Sequence, residues 1–384
     1  MTGVILTLNA GSSSIKFAAY GAGADPVLEA AGMVDALGAS ARLILRPAGG
    51  EKTTRDLGRT DHVAGVGAIL EALAPLLDGR AVLGVGHRIV HGGPDIDGPR
   101  VLDGPLLDHL ETLKPLAPLH QPHNLAAVHA ARAAFPEALQ VGAFDTAFHR
   151  GHPKVNDLFA LPRRYYDAGV RRYGFHGLSY DYIAGVMARD HPHMAKGRVI
   201  VAHLGNGASL CGLENGRSIS STMGFSALEG LCMGTRPGQV DPGVLLYLMK
   251  EEGMGYEELT HLLYKESGML GLSGISHDMR ELLASEAPEA KEAIAYYCNR
   301  LAREIGAMAA VLGGIDALIF TGGVGENAAP VRARALENLG FLGLEVDSAA
   351  NSANATRIDA GRVPVLVLPT DEECVIAGST AAFL

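Results

Sequence analysis

Cysteine is scarce in this 384-residue chain, and the few present are scattered: Cys211, Cys232, Cys298 and Cys374, with no C-x-x-C pair. That excludes a disulfide framework and a zinc ribbon and points to a reducing compartment, so the expected location is the cytoplasm. Basic residues are outnumbered, 32 Lys and Arg against 42 Asp and Glu, for a formal charge of −10. A nucleic-acid binder normally carries a basic domain, so nucleic acid is not an expected partner. No basic segment precedes the apolar run that starts at Val4, which argues against a signal peptide. The most membrane-like stretch, Ile305 to Val324, carries Asp316 and two Gly pairs, and reads as a buried helix running into a strand. No membrane partner is expected either. Three catalytic signatures are also missing: G-x-x-x-x-G-K-[ST], G-x-G-x-x-G and H-E-x-x-H. Their absence removes a P-loop, the main support for a dinucleotide-binding dehydrogenase, and a zinc protease. The pairs His87/His91, His120/His123 and His149/His152 have chelate-like spacing. His87 and His91, however, fall in a predicted strand, where i and i+4 lie about 13 Å apart, and no transition-metal site is expected.

Glycine is in excess: 49 of 384 residues, about 13% against a usual share of about 7%. There is no G-X-Y period or low-complexity tract to make the chain collagen-like or disordered. At about 150 residues per domain the length predicts two or three domains. Val4–Leu8 and Ile15–Tyr20 read as two strands around the turn Asn9–Ser14. Arg198–Leu204 and Ala208–Leu213 repeat that pattern around Gly205-Asn206-Gly207, about half a chain later. We read this as an internal duplication: two related α/β domains facing a shared cleft. Further strands are predicted at Ala41–Arg46, Lys52–Asp56, Val82–Val90, Leu139–Phe144, Ala317–Thr321 and Val363–Leu368. Helices are predicted over His62–Leu77, most of 243–312, after Asn327, and over Glu372–Ala382. Pro115, Pro118 and Pro122 make 105–125 read as mostly loop with short helices.

The glycine-bearing turns Asn9–Ser14, Gly205–Gly207 and Gly322–Asn327, and less clearly Gly92-Gly93, each follow an apolar strand, where open α/β sheets place ligands. Taken singly each is most simply a tight turn. Together they suit a cradle in which backbone N–H groups approach phosphate closely. The first turn leads into a strand carrying Lys16 and not into a helix. A hairpin with hydroxyls and a lysine aimed at phosphate is the device of the actin, hexokinase and Hsp70-type ATPases.

The motifs carry a resemblance over essentially the whole chain. Asn9-Ala10-Gly11-Ser12-Ser13-Ser14-Ile15-Lys16, His87–Gly93, Leu116–His120, Phe144–His149, Arg172–Gly177, His203–Gly207, Met233–Arg236, Asp241–Gly243, Phe320–Asn327 and Thr370–Glu373 resemble the acetate and propionate kinase family. The resemblance implies two duplicated actin-like (ribonuclease H-like) ATPase domains flanking a central cleft, the first over 1–149 plus 374–384 and the second over 150–373. It implies a homodimer, closure of the domains over substrate, and reversible Mg²⁺-dependent (Mn²⁺ as an alternative) transfer of the ATP γ-phosphoryl group to acetate, giving acetyl phosphate and ADP. Arg88 would bind the acetate carboxylate. Arg236 and His176 would stabilise the phosphoryl group in flight, and Asp145 would orient Arg88 or hold a proton. Asn9 and Glu372 match the Mg²⁺-associated residues, and Ser12 and Lys16 would contact phosphate. His203, Leu204, Gly205, Asn206, Gly207, Gly323, Val324, Gly325, Glu326 and Asn327 would cradle phosphate and nucleoside. Asp278, Met279 and Arg280 match the adenosine side, and Val90, Leu119 and Phe175 the acyl pocket. Ala227 stands where the family usually has Pro, Pro237-Gly238-Gln239 replaces a more common pattern after Arg236, and Asp371 and Cys374 replace a frequent Asn and Leu. These departures leave every charged catalytic group in place and bear on acyl-chain length. Propionate is the alternative acceptor, since one methylene discriminates by only about 1–3 kcal/mol. An Hsp70- or actin-type ATPase without an acyl acceptor is the alternative of another class; a carboxylate-binding Arg88 argues against it.

Overall fold

Strand β1 (Val4–Ala10) is buried at every position, as a central strand covered on both faces must be. It pairs antiparallel with β2 (Ile15–Gly21) in the expected hairpin, Asn9 standing opposite Lys16. The computed structural model describes residues 3–11, 14–118 and 120–384. They divide into two units, Met1–Arg150 with Asp371–Leu384, and Gly151–Thr370.

In the first unit the described residues add β3 (Val27–Asp35), β4 (Gly38–Pro47), β5 (Thr53–Thr60), β6 (Val82–Ile89), β7 (Arg100–Val101) and β8 (Leu139–Phe144). The sheet order is β5-β4-β3-β2-β1-β6-β8-β7, with β1, β6 and β8 mutually parallel neighbours. In the second unit β9 (Arg198–Leu204), β10 (Ala208–Glu214), β11 (Arg217–Ser221), β12 (Ala317–Thr321) and β13 (Val365–Val367) run in the order β11-β10-β9-β12-β13. Here β9, β12 and β13 are the parallel neighbours. The stretch β3-β2-β1-β6-β8 has the same order and directions, so the two units repeat one plan.

Both faces of the first sheet are covered. Leu6, Leu8, Ile15 and Phe17 pack with Val66, Ile69 and Leu73 of the helix His62–Leu77 and Ala127 and Ala131 of the helix Gln121–Ala134. Ile5, Ala18 and Tyr20 pack on the other face with Ala377 of the last helix, Glu372–Ala381. That helix lies tight on β6 because Gly84 and Gly86 face it. A Cβ on Gly86 would fall 2.3 Å from Thr380 Oγ1 and 2.6 Å from Ile376 Cγ2. Arg88 shares that face by strand alternation.

Some elements differ from expectation. Strand β3 was not predicted, and the helix Gln121–Ala134 is longer than the short helices expected around Pro122. Pro122 sits in its first turn, where the missing N–H costs nothing. In the second unit the expected helix after Asn327 is present as Ala329–Leu336, and a short helix, Gly322–Asn327, also forms in the glycine loop read as a turn. Gly322 has φ +77, and a Cβ there would lie 2.8 Å from Leu204 O. The helix Pro242–Glu251 has no buried residue and exposes Val244, Leu246, Tyr247 and Met249. Among the described residues no helix is long and apolar enough to cross a membrane.

Candidate active site

In the first unit the site grows from the carboxyl ends of the parallel strands. Asn9 ends β1, Arg88 lies near the end of β6, and Asp145 follows β8, its N–H donating to Ile89 O at 3.0 Å. Arg88 Nε donates to both Asp145 oxygens at 3.0 and 3.1 Å, and Nη2 to Oδ2 at 2.6 Å. Nη1 faces Asn9 Oδ1 at 3.2 Å and Glu372 Oε2 at 3.3 Å. Burial alone would pull the Arg88 guanidinium down, but Asp145 and Glu372 beside it hold it well above its usual value. Burial also raises the Asp145 carboxyl, with Arg88 opposing. Asp145 is 1% exposed, so it orients Arg88 and is itself shielded.

The last helix brings a second acid. Asn9 Nδ2 donates to Glu372 Oε2 at 3.3 Å and to Glu373 Oε1 at 3.4 Å. Burial pushes the Glu373 carboxyl up, Lys16 opposing and Glu372 adding to the shift. An amide oxygen and two carboxylates are the hard-oxygen donors that suit Mg²⁺. Among the described residues no group of three or more His, Cys, Asp and Glu side chains is gathered as a metal site. Lys16 is exposed on β2. Ser12 and Leu119, expected at phosphate and acyl group, lie outside the described residues.

Residues that local sequence did not mark hold this cluster in place. Asn124, buried in the helix Gln121–Ala134, donates to Ala10 O at 2.7 Å and accepts from Val90 N at 2.9 Å, tying the ends of β1 and β6 together. Gln121 bonds both backbone groups of His91, and Thr146 Oγ1 accepts from Gly92 N at 3.0 Å. Val90 is buried in this segment.

The second unit carries another cluster. His176 precedes the helix Gly177–Asp190 with a left-handed φ of 57, a strained conformation for a non-glycine residue. Its ring stacks on that of His203 with centroids 4.3 Å apart. A Cβ on Gly207 would fall 2.6 Å from Arg236 Nη2 and 3.2 Å from His176 Nε2. The bare glycine is therefore the floor on which a guanidinium and an imidazole converge. Arg236 Nη1 donates to Ala227 O at 2.8 Å. Burial pushes Arg236 down to about 10, Tyr264 opposing, so it remains a cation at neutral pH. Among the described residues it has no carboxylate in salt-bridge range. Phe175 is buried beside His176.

Adjoining is a pocket of 580 Å³ lined by Gly205, Asn206, Asp278, Met279, Arg280, Gly323, Val324 and Asn327, with Gly234, His277 and Tyr297. Eight of the positions expected around the nucleotide thus share one cavity. Arg280 Nη2 is folded onto Asp278 Oδ2 at 2.5 Å. Others are placed differently. Leu204 and Gly325 are buried, and the Glu326 carboxylate accepts from Gly322 N at 2.9 Å and Thr370 N at 3.4 Å. Glu326 thus holds the loop from behind.

The acetokinase family profile matches residues 4–378. The acetate kinase of Methylocella silvestris is 51% identical over all of this chain and 98% of its own length. A propionate kinase structure from Francisella tularensis superposes with a TM-score of 0.92 at 33% identity, over 98% of this chain and 99% of that one. The acetate kinase structure of Porphyromonas gingivalis does so with 0.87 at 37% identity, over 99% of each.

Proposed function

Because this chain belongs to the acetokinase family, we propose that it catalyses reversible transfer of the ATP γ-phosphoryl group to acetate, giving acetyl phosphate and ADP by in-line displacement. Its fold is the family's duplicated actin-like ATPase fold. The observation that carries the reading is the unneutralised Arg236 cation beside His176 over the Gly207 floor. Such a pair suits a trigonal phosphoryl group in flight, whose charge lies on its equatorial oxygens.

Both reactants are anions, so the work is positioning and charge stabilisation. Acetate is ionised at neutral pH and needs no base. One of its oxygens attacks the γ-phosphorus, while the bond to the β–γ bridging oxygen breaks and its electron pair leaves with ADP. Arg236 and His176 donate to the equatorial oxygens. Arg88, locked through Nε and Nη2 by Asp145, offers Nη1 to the acetate carboxylate, and Val90, Leu119 and Phe175 take the methyl. The nucleoside occupies the pocket of Asp278, Met279 and Arg280, and Lys16 and His203 contact phosphate. Asn9 and Glu372, joined by Glu373, fit Mg²⁺ or Mn²⁺, which when bound supplies charge neutralisation on the phosphates.

A homodimer is supported by the unburied apolar helix Pro242–Glu251, and a cytoplasmic location by four free cysteines. The test is ATP consumption with and without acetate, with hydroxylamine trapping the acyl phosphate. Acetate-dependent hydroxamate is expected; consumption indifferent to acetate with no hydroxamate refutes the reading. The likeness to a propionate kinase structure favours propionate as a second acceptor, and a higher kcat/KM with propionate would make it the first.

A further inference from the structure

The two stacked histidines each meet a hydroxyl at Nδ1. Ser209 Oγ is 2.8 Å from His176 Nδ1, and Ser179 Oγ is 2.8 Å from His203 Nδ1. Ser209 is also engaged by the Tyr180 hydroxyl at 2.5 Å, and both residues are completely buried. The fold delivers them from separate elements. Tyr180 lies one helical turn beyond His176, its N–H donating to His176 O at 3.1 Å, and Ser209 stands on β10 opposite His203.

A serine hydroxyl has one proton to give and can accept as well. The phenol is the stronger acid of the two hydroxyls, and burial holds its pKa well above the usual value, so it keeps its proton. With Tyr180 donating to Ser209, the Ser209 proton is directed at His176 Nδ1. An imidazole that accepts at Nδ1 carries its proton on Nε2, the nitrogen turned toward Gly207 and Arg236.

We infer that Tyr180 and Ser209 are positioning residues: a Tyr180–Ser209–His176 relay fixes His176 as the Nε2–H tautomer, so that it donates to the phosphoryl oxygens. The relay deepens the phosphoryl-transfer reading and rests on it for its purpose, but its geometry stands in the absence of turnover.

The test has two arms. In ¹⁵N-resolved NMR of the imidazoles, the wild-type protein at neutral pH shows His176 protonated on Nε2, and Tyr180→Phe and Ser209→Ala move population toward Nδ1–H. In kinetics, both variants lose about 10- to 100-fold in kcat, the size seen when a partner orienting an active-site histidine is removed, with the KM values for ATP and acetate little changed. Ser209→Thr keeps the hydroxyl and most of the rate. In a His176→Ala background, Tyr180→Phe costs nothing further. A wild-type Nδ1–H tautomer, or equal losses in both backgrounds, overturns the relay. The NMR arm needs no turnover, so failure of the phosphoryl-transfer reading would show separately, in the hydroxamate assay.

Discussion

Gly207→Ala separates catalysis from stability more sharply than removal of any charged group. The added methyl would sit 2.6 Å from Arg236 Nη2, 3.2 Å from His176 Nε2 and 3.5 Å from His176 Cε1. Ordinary contact needs roughly 3.5 Å, so the guanidinium end must retreat by about 1 Å. That motion is cheap for the fold, because the clashing atom is the end of a flexible side chain, tethered at its other nitrogen to Ala227 O. The backbone at Gly207 is not left-handed, so alanine fits without strain and stiffens the unfolded chain, worth about 0.4–1 kcal/mol in favour of folding. For catalysis the same 1 Å is expensive: misplacing a positioned group by that much costs about 10²-fold in rate, or about 2.7 kcal/mol of barrier. The expected outcome is a kcat about 100-fold lower with an unchanged or slightly higher Tm, measured by hydroxamate formation and thermal melting. Gly185→Ala is the control. It lies inside the helix Gly177–Asp190, a Cβ there meets nothing within 4 Å, and it should raise Tm at full activity. A Gly207→Ala protein with wild-type kcat would refute the convergence of Arg236 and His176 over this residue, and one that loses stability while Gly185→Ala gains it would refute the cheap retreat of the guanidinium.

Other consequences can be checked with similar means. Arg88→Ala should raise the acetate KM and also destabilise the fold by about 3–5 kcal/mol, because it strands a buried carboxylate; adding Asp145→Asn should restore part of the loss in urea titrations. Burial pulls His87 down to about 4, with a hydrogen bond from its Nε2 to Gln140 Oε1 opposing, and His91 down to about 3, with Arg150 adding to the effect. Below about 6.5 the unfolded chain binds protons that the native state refuses, so stability should fall as pH drops from about 6.5 toward 4. His87→Gln should flatten that slope, measured as unfolding free energy at pH 7 and pH 5. Leu246→Glu, on the exposed apolar face of the helix Pro242–Glu251, should shift the protein to monomer in sedimentation without unfolding it.

What could be read from sequence and what could not follow one physical division. The duplicated plan was legible because each hairpin carries its own turn chemistry, Asn9–Ser14 and Gly205–Gly207, between apolar strands that need both faces covered. The helix His62–Leu77 was legible because Val66, Ile69, Leu70 and Leu73 recur at helical spacing; the structure adds the cap, Asp61 accepting from Ala64 N at 2.8 Å. Strand β3 was not. Its Glu29-Ala30-Ala31-Gly32 centre has no alternation to read, and it is a strand because β2 and β4 hydrogen-bond to it on either side. Gly32 is there because the Phe17 ring occupies the place of a side chain, 2.4 Å from where its Cβ would be. The site divides in the same way. Arg88, Asp145, His176, Arg236 and Glu372 sit in motifs, but which of them pair is set by remote neighbours that no local pattern announces: Asp145 lies 57 residues from Arg88 and Glu372 363 from Asn9, and Ser209, 33 from His176, carried no signal of its own. A motif can name a charged group; the remote partner decides which of its atoms is left to meet the substrate. For Arg88, Asp145 holds Nε and Nη2, and Nη1 is shared with Asn9 Oδ1 and Glu372 Oε2, so a carboxylate bound at Nη1 has to compete with them. If the acyl carboxylate is gripped at Nη1 alone, discrimination between acetate and propionate falls to contacts with the methyl, and a comparison of kcat/KM for the two acceptors reads it directly.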